Sequence, residues 1–226
     1  MGELYIVSTP IGNLKDITLR AIDTLKEVDL IYSEDTRITN KLLNHLSIKR
    51  RIQSFNEHNE IKKTPKILQQ LSEGKSVALI SDAGTPLISD PGYYLVKQAR
   101  EKFFHIIPIP GCCAAIAALS VSGVATDKFY FHGFLPTSEL AQLRELGKLA
   151  QRKETLIFYE SVHRLQSTID HMIKVFGGNR KAIVCKEITK LHESYLGENL
   201  SEIDECIKNN PKKIRGEFTI ILDGSK

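Results

Sequence analysis

The chain has few of the features that tie a protein to a metal, a disulfide or a membrane. Its four cysteines form no C-x-x-C pair, since Cys112 and Cys113 are adjacent and Cys185 and Cys206 stand alone. We therefore expect reduced cysteines, no metal site and a cytoplasmic location. No apolar run approaches the roughly 18 residues of a membrane helix, and the chain leads directly into a predicted strand, so we expect neither a span nor a signal peptide.

Two common nucleotide-binding motifs are absent from the most distinctive loop, residues 81–92 (SDAGTPLISDPG). No lysine follows its glycines, and it has no G-x-G-x-x-G, which excludes a Walker loop and a dinucleotide fingerprint. The apolar run 77–80 before it predicts a buried parallel strand, and Asp90 and Pro91 predict the start of a helix after it. Because open α/β sheets bind ligands at the carboxyl ends of strands, we predict a small-ligand loop, with a rigid ligand-free turn as the alternative.

Composition and net charge exclude fewer classes of protein than the motifs do. Hydrophobic residues make up 42% and charged residues 26%, which is ordinary for a soluble globular protein. The net charge of +4 is compatible with an acidic partner such as RNA, but many enzymes of small metabolites are equally basic.

Apolar periodicity predicts two α/β domains, residues 1–125 and 126–226. In the first half strands and helices alternate, which predicts a parallel sheet with helices on both faces. The predicted strands cover residues 4–7, 30–32, 77–80 and 105–109, and the helices cover 17–28, 36–46, 65–72, 93–102 and 114–121. The helix at 65–72 would have Thr64 as N-cap and Pro65 as its first residue.

The second half predicts a mixed or antiparallel sheet. Its predicted strands are residues 129–134, 155–159, 182–188, 194–197 and 218–222, and its helices are 139–150, 165–176 and 200–208.

Several short stretches stand in one order along the whole chain. They are LYIVSTPIGNL (4–14), SEDTR (33–37), FNEHNE (55–60), the loop 81–92, PG (110–111), TLIFYES (155–161), HRL (163–165), KEITKLHE (186–193) and GEF (216–218). The series resembles the tetrapyrrole methylase superfamily, the class III S-adenosylmethionine-dependent methyltransferases, and within it the ribosomal RNA small-subunit (cytidine-2'-O)-methyltransferases.

The resemblance implies a two-domain α/β fold, a homodimer, and S-adenosylmethionine held in the cleft between the domains. It also implies 2'-O-methylation of a cytidine of 16S rRNA in the small ribosomal subunit, near the decoding centre. Two alternatives stay open: methylation of a small tetrapyrrole-type molecule, and a non-catalytic S-adenosylmethionine-binding regulator. Residues 34–37 and 57–59 match the RNA branch and favour the RNA substrate.

The resemblance also assigns residues to cofactor binding. S-adenosylmethionine needs backbone amides and small side chains nearby more than it needs charged groups. Plain packing is the alternative for Ile88 and Ala114. The assigned positions are Pro10, Asp82, Gly84, Thr85, Ile88, Cys113, Ala114, Phe158, Tyr159 and Glu187.

A ribose 2'-hydroxyl is a poor nucleophile, so a general base is expected. We predict Asp35, Glu57 and His58 as catalytic candidates, with Glu160 and Glu193 as further carboxylates. Asp35 would alternatively cap the helix after it, and residues 57–59 would alternatively be a solvated connector.

Arg37, His163 and Arg164 are the predicted RNA contacts. His163 and Arg164 begin a helix, where a cation is unfavourable unless an anion is near, and a solvent-facing helix start is the alternative.

Overall fold

The structure, a computed structural model, describes residues 2–210 and 214–225. It consists of two compact units, Met1–Cys113 and Ala114–Lys226. The boundary predicted from the sequence lies after residue 125. The helix Ala114–Val121 accounts for the difference, because it packs against strands of the second unit and is therefore grouped with them. Within the described residues no helix is long and apolar enough to cross a lipid bilayer.

The first unit is built on a five-stranded parallel sheet. The strands are β1 (Glu3–Val7), β2 (Leu30–Ser33), β3 (Ile52–Ser54), β4 (Val77–Ile80) and β5 (His105–Ile109). Their spatial order is β3-β2-β4-β1-β5, and Leu4 lies opposite Val77 on one side and Ile106 on the other. The helices are α1 (Leu19–Glu27), α2 (Thr36–His45), α3 (Glu60–Ser72) and α4 (Tyr93–Glu101).

Both faces of this sheet are covered. On one face Leu25 of α1 and Leu43 of α2 pack against Ala78 and Ile80. On the other, α3 and α4 pack against β4 through Leu79. Successive residues of a strand point to opposite faces, which explains why β4 is apolar throughout and wholly buried. The predicted parallel sheet with helices on both faces is confirmed.

The second unit contains α5 (Ala114–Val121), β6 (Phe129–Phe134), α6 (Glu139–Leu149), β7 (Thr155–Ser161), α7 (Leu165–Phe176), β8 (Ala182–Lys186), β9 (Ser194–Leu196), α8 (Leu200–Asn209) and β10 (Glu217–Leu222). Its sheet is mixed, as predicted, in the order β6-β7-β10-β8-β9, and among the described pairs β6–β7 is parallel and the others are antiparallel. Helices α6, α7 and α8 supply Leu146, Ile169 and Ile203 to the core on one face. Helix α5 packs on β7 and β10, and the Cys185 Sγ of β8 lies 4.0 Å from the Ala118 carbonyl oxygen.

Three predicted helix starts are wrong. Helix α1 begins at Leu19 and not at residue 17, with Thr18 as its N-cap. Helix α3 begins at Glu60, not Pro65, and Pro65 lies inside it. The proline is exposed, so water can reach the carbonyl that its missing N–H leaves unpaired.

Strand β3 is not predicted from the sequence, because it has only three residues and none of them is fully buried.

Helix α4 begins at Tyr93 with Gly92 as N-cap, and not at Pro91 after an Asp90 cap. Its first N–H groups are satisfied by another helix. The Glu60 carboxylate accepts from the N–H groups of Gly92 at 3.1 Å, Tyr94 at 2.9 Å and Leu95 at 3.3 Å. A tertiary acceptor has replaced the local cap that the sequence favoured.

Candidate active site

Five loops meet at one edge of the first unit's sheet. Because all five strands are parallel, their carboxyl ends share this edge, and the predicted residues after each strand lie along it. Pro10 follows β1, Asp35 follows β2, Glu57 follows β3, the loop 81–92 follows β4, and Cys113 follows β5. The topology therefore brings to one edge residues as far apart in the sequence as Pro10 and Cys113.

Hydrogen bonds join three of these loops. Thr9 and Gly84 form a two-way backbone bridge, with N–H to carbonyl distances of 2.8 and 3.1 Å. The Thr85 hydroxyl donates to the Cys112 carbonyl at 2.9 Å and lies 3.0 Å from the Ser8 hydroxyl. The loops after β1, β4 and β5 are therefore held in fixed positions, as a preformed ligand site requires.

The loop 81–92 has an unusual backbone. Gly84 has a φ of 86°, and an added Cβ would lie 3.3 Å from Ile11 Cγ2 and 3.7 Å from the Cys112 carbonyl oxygen. Leu87 and Ser89 are not glycines, yet their φ angles are 74° and 65°. Such conformations persist only where surrounding contacts impose them, and they concentrate at ligand and catalytic sites. Ile88 between them is 39% exposed and free to contact a ligand.

Three carboxyl groups on this edge have raised pKa values. Burial, reinforced by Asp90, Asp82 and Glu57, raises the pKa of Glu34 to about 7. Burial also raises the pKa of Asp90 to about 6, although a hydrogen bond with Ser81 acts to lower it. Burial raises the pKa of Asp82 as well. Like charges in a partly desolvated site favour the protonated form. Of these carboxyl groups, Glu34 and Asp90 have pKa values near neutral pH, as proton acceptors at functional sites often do.

Sequence reasoning did not select Glu34, although it lies inside the SEDTR stretch. The available signal was its position, since it is the first residue after a wholly buried strand. Its raised pKa depends on carboxyl groups from other loops, which spacing along the chain does not reveal.

Asp35 has a different environment. Its carboxylate accepts from the Arg37 backbone N–H at 2.8 Å and from the Arg37 guanidinium at 2.5 to 3.1 Å, and these bonds lower its pKa to about 2. Asp35 is also the N-cap of α2, as the alternative prediction held. Its own N–H donates to Asp82 Oδ1 at 2.9 Å. A carboxylate with so low a pKa is a weak base, so the geometry favours a positioning role.

Glu57 and His58 lie at the rim of the edge. Their side chains are 79% and 85% exposed and form a single pair, with His58 Nε2 3.5 Å from Glu57 Oε1. Because both side chains are exposed, Glu57 and His58 are accessible to a large substrate.

Two predicted residues of the second unit have internal roles. The side chain of Glu160 is fully buried and accepts from the Thr168 hydroxyl at 2.7 Å and from the Ser161 N–H at 2.7 Å. Arg164 donates to the carbonyls of Leu135 at 2.8 Å and Pro136 at 2.9 Å. These bonds make Glu160 unsuitable as a base and favour Arg164 as a clamp on the loop after β6. His163 beside it is exposed.

The remaining cofactor candidates of the second unit are Ala114, Phe158, Tyr159 and Glu187, and their surroundings differ. The Tyr159 hydroxyl accepts from the Ala115 N–H at 3.0 Å, directly after Ala114 at the start of α5, and its ring packs against Phe131 and Phe134. Phe158, the neighbouring strand residue, points into the core and is wholly buried, so only its backbone is available to a ligand. Glu187 lies just beyond β8 with a φ of 51°.

Within the described ranges, no three His, Cys, Asp or Glu side chains are grouped so that they could hold a metal ion.

The fold is shared with solved structures of methyltransferases. A solved structure of uroporphyrin-III C-methyltransferase from Thermus thermophilus superposes with a TM-score of 0.69 at 16% identity, covering 99% of this chain and 94% of that one. A cobalt precorrin-4 methyltransferase gives 0.67 at 18% identity, covering 98% and 94%. At these identities the likeness concerns the fold.

The amino-acid sequence shows the family to which the chain belongs. The family model described as Tetrapyrrole (Corrin/Porphyrin) Methylases matches residues 3–204, and the chain belongs to this family. It is similar to the ribosomal RNA small subunit methyltransferase I of Pasteurella multocida, 46% identical over 99% of this chain and 79% of that protein. The proteins of that name from Haemophilus influenzae (99% and 79%) and Escherichia coli O157:H7 (100% and 79%) are 46% and 44% identical.

Proposed function

We propose that this protein methylates the 2'-hydroxyl of a cytidine in 16S rRNA of the small ribosomal subunit, using S-adenosylmethionine. The observation that carries the proposal is the 46% identity, over nearly the whole chain, to proteins named for methylation of small-subunit ribosomal RNA. The 2'-oxygen, the cytidine and its place near the decoding centre come from the resemblance of the sequence motifs. A cytoplasmic homodimer is part of the same proposal.

The first unit offers a suitable cofactor surface. S-adenosylmethionine supplies a methyl group on a sulfonium, and its amine, carboxylate and ribose hydroxyls suit the backbone N–H and carbonyl groups of the joined loops at this edge. We assign the first unit's contacts to Pro10, Asp82, Gly84, Thr85, Ile88 and Cys113, and the second unit's to Ala114, Tyr159, Glu187 and the backbone of Phe158. The fixed loops fit a reaction that depends on in-line positioning.

We assign the proton acceptor to Glu34. A general base works best when its pKa lies near the working pH, and the pKa of Glu34, about 7, meets this condition whereas that of Asp35, about 2, does not. Asp35 positions Arg37 by accepting from its guanidinium. Arg37 itself is 86% exposed, which suits contact with an RNA phosphate.

The test is methyl transfer from labelled S-adenosylmethionine to small ribosomal subunits of a strain lacking the modification. The expected product is one labelled cytidine whose 3'-phosphodiester resists alkaline cleavage, because the 2'-oxygen is blocked. Transfer to a tetrapyrrole and not to the subunit would favour the small-molecule alternative. Cofactor binding with transfer to neither would favour the non-catalytic regulator. Light scattering of the purified protein tests the dimer.

A further inference from the structure

The last residue of β6, Phe134, is an exposed aromatic residue beside one that we assign to the cofactor. It is 54% exposed, and its ring centroid lies 5.6 Å from that of Tyr159 on β7. The two ring planes meet at 62°, which is an edge-to-face contact. The Tyr159 hydroxyl accepts from the Ala115 N–H at the start of α5. Phe134 therefore lies next to the cofactor contacts that we assign to the second unit.

A β-bulge gives Phe134 this orientation. Between Phe131 and Phe134, β6 has one residue more than β7 has between their partners, and the register shifts there. In a regular strand, residues three apart point to opposite faces. Here the inserted residue, His132, packs toward Phe158 on the core side, with 5.5 Å between the ring centroids, and both phenylalanines contact Tyr159. Bulges that re-aim a side chain in this way are over-represented next to active sites.

The chain after Phe134 is held in place by a buried ion pair. Leu135 is buried in the core of the second unit. The Arg164 guanidinium donates to the carbonyl oxygens of Leu135 and Pro136 at 2.8 and 2.9 Å. The buried Glu160 carboxylate lies 3.5 Å from the same guanidinium nitrogen and keeps the arginine in this position. An aromatic side chain held by its surroundings loses little conformational entropy when it binds a ligand.

We propose that Phe134 stacks on a base of the RNA substrate at the methylation site. The 2'-oxygen that receives the methyl group must lie beside the cofactor, so the bases nearest to it are within reach of a residue that flanks Tyr159. Unpaired bases of RNA are commonly bound by stacking on aromatic side chains. The inference rests on the proposed function, which supplies both the RNA substrate and the cofactor contact at Tyr159.

Stacking on an aromatic ring tolerates any base, because every base has a π-face. Phe134 therefore holds a nucleotide in place and does not identify it. The loss of this ring should weaken the use of the RNA substrate and leave the binding of S-adenosylmethionine unchanged.

The experiment measures methyl transfer to small ribosomal subunits that lack the modification, over a range of subunit concentrations. In Phe134→Ala the kcat/KM for the subunit should fall about tenfold or more, the order of effect expected for one lost base stack. Phe134→Tyr keeps an aromatic ring and should retain the wild-type kcat/KM.

Phe129→Ala is the matched control. Phe129 lies on the same strand and the same face, is 43% exposed, and stands at the other end of β6, opposite Thr155. Its replacement should leave kcat/KM unchanged. Isothermal calorimetry should give the wild-type affinity for S-adenosylmethionine in all three variants. The salt dependence of subunit binding should also be unchanged, because no phosphate contact is removed.

Four results would overturn the inference. One is a Phe134→Ala variant with the wild-type kcat/KM, and another is an equal loss in Phe129→Ala, which would show that apolar surface in general is responsible. A lower affinity for S-adenosylmethionine in Phe134→Ala would make the ring a cofactor contact. A smaller particle in light scattering would make this face a contact between copies of the chain. A wild-type protein that methylates no subunit would refute the proposed function itself, which is a different result from equal activity of wild type and variant.

Discussion

Replacing Gly84 by alanine should separate a ligand-binding loop from a merely structural one. Gly84 has a φ of 86°, in a region where an L-residue costs about 1–2 kcal/mol. Gly74 has the same φ of 86°, but an added Cβ there meets nothing within 4 Å. The two alanine variants therefore carry the same backbone cost, and only the substitution at Gly84 crowds the loop, against Ile11 Cγ2 at 3.3 Å.

We expect both variants to lose a similar amount of stability, with Tm falling by about 2–4 °C for each kcal/mol. Affinity for S-adenosylmethionine should fall about tenfold or more in Gly84→Ala, a change of about 1.4 kcal/mol, and stay unchanged in Gly74→Ala. Gly84→Val adds two further methyl groups and should abolish binding.

Isothermal calorimetry gives the affinities, and differential scanning calorimetry gives the Tm values. If Gly84→Ala binds the cofactor as tightly as Gly74→Ala does, the loop 81–92 is a structural turn and the cofactor assignment of Gly84 is wrong. If Gly84→Ala alone loses several times more stability than Gly74→Ala, the contact with Ile11 dominates, and the affinity must then be compared well below the Tm.

Further predictions concern charge and metal. The pKa of Glu34 rises from 4.5 to about 7 on folding, so its stabilising contribution is complete below pH 4.5 and is lost as the pH rises through 7. In Glu34→Gln the fall in Tm over that range should be smaller, and the rise of the methyl-transfer rate near pH 7 should disappear. An unchanged pH–rate profile would exclude Glu34 as the base. Arg37→Gln should flatten the RNA salt slope by about 0.7, with cofactor affinity and Tm retained. Arg164→Gln should lower Tm instead, because two carbonyls lose their donor, and a loss of RNA binding without loss of stability would restore Arg164 as a phosphate contact. Calorimetry in the presence of a chelator should show unchanged S-adenosylmethionine binding, and a requirement for a divalent ion would contradict the metal-free site.

Local sequence patterns were sufficient for most of the secondary structure. Helix α7 has its predicted bounds, Leu165–Phe176, because its apolar residues recur at helical spacing. Strand β4 has its predicted bounds because four consecutive apolar residues suit a strand covered on both faces. The alternation of such segments also determined the parallel sheet, and hence the edge at which the ligand loops meet.

Only the tertiary structure decided how the ends of elements and the charged groups behave. The carboxylate of Glu60, more than thirty residues away in sequence, caps α4 and overrides the local signal at Asp90. Asp35 and Glu34 are neighbours in the sequence, yet an arginine lowers the pKa of one while burial and the carboxyl groups of other loops raise that of the other. Hydrogen bonds, burial and electrostatic interactions depend on distances through space, whereas periodicity along the chain reports only which face of an element is apolar.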